Sequence, residues 1–171
     1  MISLLLAVTL SAEPALTPID TTKWEKKRLS AFGGSGRFKF DGVLRLPPKT
    51  QTTVRNMTDS DGKPAGAVAR LTLADGIQVN LLERDQTSPT DEQGLAMQES
   101  MITFKATVLL HEKKPTLRVL LVESENGLDP HVINWSIAPG FTCGQKPMGN
   151  PKLSRAQADT IIAICTSLAA K

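Results

Sequence analysis

Cys165 falls on the apolar side of an amphipathic stretch near the C-terminus, and the chain's other cysteine, Cys143, stands just beyond an apolar run. Ser154, with Gln157 three residues later, forms a capping box. The Ser side chain accepts from the third helical N–H, and the Gln reaches back to the Ser N–H. Leu153 and Ala158 flank that cap as an apolar staple. Ala158, Ile161, Ile162, Cys165, Leu168 and Ala169 recur at three- and four-residue steps, which places them on one helical face. Arg155, Asp159, Thr166 and Ser167 fall off that face. The spacing predicts a helix over residues 154–169 that turns Cys165 inward, towards Cys143 at the end of the preceding strand. A bond between them would contribute roughly 3 kcal/mol through loop closure in the unfolded chain. Two buried free thiols are the alternative. No CxxC redox or metal motif is present.

The N-terminus bears on that choice, because disulfides persist in oxidising compartments. Residues 1–12 are a short apolar run ending in small residues, similar to a secretory signal, although no Lys or Arg precedes the run and Leu10 is large for its place before a cut after Ala12. The run is too short to span a bilayer. We therefore expect a signal peptide at 1–12, a linker and lead-in segment at 13–32, and one domain over 33–171, a length that can bury a real core. Localisation is expected to be secreted or periplasmic. The formal charge is +3 with scattered basic residues, aromatics are 4%, and Tyr is absent, so no basic stripe with stacking residues points to nucleic acid.

Between the ends, strand patterns dominate. Pro14 and Pro18 mark the linker, and residues 24–32 read as a short helix or irregular lead-in. Phe38, Phe40, Leu44 and Leu46 alternate with Arg37, Lys39, Asp41 and Arg45, a half-buried strand that Pro47-Pro48 ends. Residues 50–58 are a second strand. Residues 66–73 and 77–85 form a hairpin joined at Asp75-Gly76, with Ile77, Val79 and Leu81 inward. Ser88-Pro89-Thr90-Asp91 reads as a helix start, predicting a helix over 89–104 with Leu95, Met101 and Ile102 on one face and with Met97 and Met101 as core filler. Gly94 argues against that helix. The period then returns to two. Strands follow around 106–111, over 116–123, where both faces are apolar, and over 132–138 with Ile133, Trp135 and Ile137 inward. Turns separate them at Lys113-Lys114-Pro115 and at 126–130.

No catalytic motif emerges. Gly33-Gly34-Ser35-Gly36 lacks the spacing of a phosphate cradle and, with Arg37 following, of a nucleophile elbow. Asp59-Ser60-Asp61-Gly62 fails as a calcium loop, because Met57 and Val68 fall at positions that must supply ligands, and it reads as a turn. The two histidines, His111 and His131, fall beside expected strand ends with Glu123, Glu125 and Asp129 near them in sequence. They are the best metal or acid–base candidate, set against the simpler reading of solvated turn residues; no His-Glu-x-x-His exists. Asn56 and Asn134 begin glycosylation sequons. No catalytic residue, metal site or cofactor is assigned.

The expected fold is α+β, an antiparallel sheet of about six to seven strands packed against the helices at 89–104 and 154–169. That order resembles the PsbP-like α+β sandwich, named for an extrinsic subunit of the photosynthetic water-oxidising complex. The residues that carry the likeness are Phe38-Lys39-Phe40 through Leu46-Pro47, the strands at 116–124 and 132–137, and the helix at 154–168. The resemblance spans about residues 36–168 and lies in element order. It implies an accessory or binding protein outside the cytoplasm and carries over no catalytic residue. The leading expectation is thus a secreted or periplasmic, non-catalytic binding domain, with an unknown protein or a small apolar ligand as partner. The alternatives are a small secreted hydrolase using scattered acids or the two histidines, and a carrier holding an apolar ligand between sheet and helices.

Overall fold

A computed structural model describes residues 18–29, 41–84, 88–137, 140–145 and 151–170. The expected signal at 1–12, the glycine run at 33–36 and the Phe38–Phe40 half of the first strand lie outside the described residues. Among the described residues ten strands and two helices follow in the order β1 (Glu25–Arg28), β2 (Gly42–Leu46), β3 (Gln51–Thr58), β4 (Pro64–Thr72), β5 (Gln78–Glu83), α1 (Glu92–Thr103), β6 (Thr107–Lys114), β7 (Leu117–Ser124), β8 (Gly127–Asn134), β9 (Phe141–Gln145), α2 (Arg155–Thr166) and β10 (Ala169–Ala170). The fold is α+β and mostly sheet. Seven strands pair antiparallel in the order β3-β4-β5-β9-β8-β7-β6, and β1-β2-β10 make a separate antiparallel sheet.

Turn chemistry sets the registers. Between β3 and β4 the Asp59 carboxylate accepts from the Asp61 and Lys63 N–H groups at 2.9 and 2.8 Å, and Gly62 supplies φ +76°. This is the expected turn, with the acid bonded to its own loop. Between β4 and β5, Gly76 at φ +85° donates to the Leu73 carbonyl, and Leu73 N–H closes on Ile77. Pleating then divides the large sheet into two faces. On one face Ala69, Leu71, Val79, Leu81, Phe141, Cys143, Val132, Val119 and Leu121 meet Leu44 and Leu46 of β2 and Ile161, Ile162, Ile164 and Cys165 of α2, forming the main core. On the other face the register aligns Leu82, Thr142, Ile133 and Arg118 in one row and Asn80, Gly144, His131, Leu120 and His111 in the next. Buried Leu95 of α1, with Leu120 and Ile133, lies outside the main core.

The cysteines are joined, with Cα atoms 5.7 Å apart, and no free cysteine remains. The capping box at Ser154 and Gln157 is formed as expected. Several elements differ from the sequence reading. α2 stops at Thr166, where the Ser167 hydroxyl donates to the Ile164 carbonyl, and Ala169 leaves the helix to pair with Val43. Asp159, expected on the outer side, is buried and paired with Arg155 at 2.9 Å. The cap of α1 falls three residues after Ser88, at Asp91, whose carboxylate accepts from Gly94 N–H at 2.7 Å. Gly94 belongs there for a steric reason: a Cβ would stand 2.2 Å from Pro89 Cβ. Residues 25–28, read as helical or irregular, are strand β1. A bulge between Val108 and Leu110 turns Leu110 into the core and leaves Val108 exposed. Of the segment 126–130, read as a turn, residues 127–130 already belong to β8 and Asn126 stays in the turn; β9 pairs only from His131 onward, so Pro130 sits where β8 is an edge on that side.

Candidate functional site

The two histidines lie within β6 and β8 rather than at strand ends. Both pair across Leu120, so they share a sheet face but stand two strand spacings apart, roughly 10 Å. Each has its own acid. His111 Nε2 is 3.1 Å from Glu99 of α1, and His131 Nε2 is 2.9 Å from Asp129. Glu123 lies on the opposite face by register, level with Thr107 and Leu128. The structure therefore does not gather His111, His131, Glu123 and Asp129 into one cluster, and among the described residues no group of three or more His, Cys, Asp or Glu could hold a metal ion. Of the sequon asparagines, Asn56 is exposed, whereas Asn134 is buried and its Oδ1 accepts from Ser136 N–H and Oγ at 2.8 and 2.7 Å.

His111 belongs instead to the clamp that holds α1 on the sheet. The buried carboxylate of Glu99 faces Arg118 at 3.2 Å, His111 at 3.1 Å and Lys113 at 3.4 Å. Arg118, also buried, donates to Glu92 at 2.7 Å and to the Lys114 carbonyl at 2.6 Å, and it lies 5.3 Å from the Trp135 ring centroid. Its Nε and the near Glu99 oxygen are at ion-pair distance but lack hydrogen-bond alignment. Charges this enclosed are stable only when paired, so the clamp fixes where α1 crosses β6 and β7.

That placement leaves the β5–β9 part of the same face uncovered by other described residues. Beside α1 runs a groove made of two hollows that share Leu82, Gln98 and Thr142 as walls. One, of about 310 Å³, is also lined by Asn80, Ile102, His131, Ile133 and Gly144. The other, of about 420 Å³, adds Arg84, Pro89, Gly94, Met97 and Met101. Met97 and Met101 are 64% and 73% exposed, so the expectation that they fill the core is overturned; Phe104, one turn further on, is equally bare. The reason is helical phase. Leu95, Glu99 and Ile102 share one face, and 97, 101 and 104 form a second apolar stripe beside it. That stripe was visible in the sequence. Arg84 gave no such signal.

Comparisons with protein-family models, with curated proteins and with solved structures find no match.

Proposed function

We propose that the protein is a non-catalytic binding domain of an oxidising compartment, secreted or periplasmic, and that it holds an apolar ligand in the groove between α1 and the open sheet face. The observation that carries this reading is the groove itself: a size suited to a small molecule, walls of Leu82, Ile102, Ile133, Met97 and Met101, and a few polar groups. Methionine side chains adapt to varied apolar shapes, which suits a ligand surface. The buried disulfide supports the compartment. Among the described residues no helix is long and apolar enough to cross a membrane. The arrangement is further proposed to be of the PsbP-like kind, supported by element order and by a sheet carrying a helix on each face.

Calorimetric titration with decanol tests the binding. One molecule is expected to bind per chain, and Leu82→Arg, which plants a charge in the wall shared by both hollows, should abolish it. Absence of binding up to the solubility limit would refute the groove. Turnover against a broad hydrolase panel, lost on mutating His111 or His131, would refute the non-catalytic part.

A further inference from the structure

Among the described residues Arg84 is the one buried cation of the groove, and nothing in the α1 clamp uses it. It is only 6% exposed, and its backbone N–H is tied to the Gly140 carbonyl at 2.9 Å. Its Nη2 donates to the Pro89 carbonyl at 2.8 Å, while Nη1, equally buried, has no hydrogen-bond partner among the described residues. Burial pushes the guanidinium pKa down. The contrast with Arg118 is direct, since that guanidinium has both Glu92 and Glu99 beside it. An unpaired buried donor on a charged group is costly to leave unmade. Arg84 also lines the larger hollow, opposite Met97 and Met101.

We propose, building on the groove reading above, that the ligand is a single-chain amphiphile with a carboxylate head. The head would accept from Arg84 Nη1, and the chain would run past Leu82, Gln98 and Thr142 towards Ile102 and Ile133. A guanidinium edge matches the oxygens of a carboxylate or of a phosphate. The donors decide between them: Nη2 is already taken by the Pro89 carbonyl, so Nη1 alone is left to offer, which suits one oxygen of a monoanion better than a dianion. Phosphate esters are therefore the weaker ligands.

A head-group series on the unaltered protein tests this: decanoate, decanol and decylamine titrated near neutral pH. Decanoate is expected to bind about 10- to 100-fold more tightly than decanol, as a hydrogen bond to a charged group implies, and decylamine to bind weakest. Arg84→Gln should erase the preference for decanoate over decanol. If that variant fails to fold, the series alone decides. Equal affinity for decanoate and decanol would sink the role of Arg84 and leave the groove standing. Tightest binding of decylamine would overturn the anionic head altogether. Failure of all three would remove the groove as well. Decyl phosphate matching decanoate would overturn the choice of a monoanion.

Discussion

At the scale of single residues, exposure decides which charges matter. Glu92 and Glu99 both face Arg118 and Lys113, yet the Glu92 side chain is 68% exposed and that of Glu99 only 9%. Removing a partner from a buried pair leaves an uncompensated charge, costing about 3–5 kcal/mol, whereas an exposed pair is worth at most about 1 kcal/mol. Glu99→Ala is therefore expected to lower the urea midpoint sharply, while Glu92→Ala barely moves it. Similar midpoints for the two variants would show that the clamp is solvated. None of this was readable beforehand. Glu99 is polar on a helix, Arg118 is one charge in an apolar strand, and only the crossing of α1 over β6 and β7 buries both. Asp159 escaped for the same reason, since a one-dimensional pattern assigns every acid to the water side. Glu123 shows the converse. Its neighbourhood to His131 in sequence dissolved once pleating put it on the other face.

At the scale of elements, α2 was legible because its signals are local: a capping box, a staple and an apolar face that names its own inward cysteine. The disulfide fastens that face to β9, with both cysteines buried. Replacing Cys143 and Cys165 together by Ala should cost roughly 3 kcal/mol, or about 6–12 °C in melting temperature for a chain of this size. The paired substitution is the cleaner measurement, because reductant reaches a buried bond only through unfolding. An unchanged transition would mean that burial alone holds α2. α1 was harder to read. Its glycine argued against a helix until Pro89 explained it, and its exposed methionines resemble core residues by composition. β1 carried almost no signal. Glu25-Lys26-Lys27-Arg28 has no apolar alternation, and it is a strand because β2 offers it a partner and Leu29 buries beside it.

At the scale of the whole molecule, the seven-stranded sheet is unequally covered, and this asymmetry links stability to binding. On one side α2 buries Ala158, Asp159, Ile161, Ile162, Ile164 and Cys165 in a core shared with the small sheet; on the other α1 buries only Leu95 and Glu99. Burial of one leucine at about 2–3 kcal/mol, plus a clamp partly open to water, holds α1 far less firmly than six buried side chains and a covalent link hold α2. Segments with little buried apolar area open locally, below the free energy of global unfolding. Amide hydrogen exchange is therefore expected to release α1 early and α2 with β7–β9 only at global unfolding. Salt should speed exchange in α1 selectively, because the Lys113–Glu92 pair is exposed and screened. A ligand in the groove touches α1 through Gln98, Met97 and Met101 and the sheet through Leu82 and Thr142, so decanol should slow exchange in α1 and leave α2 unchanged. Equal protection of the two helices would mean that the thin side is as rigid as the thick one, and α1 would then form a fixed wall that does not yield to admit a ligand.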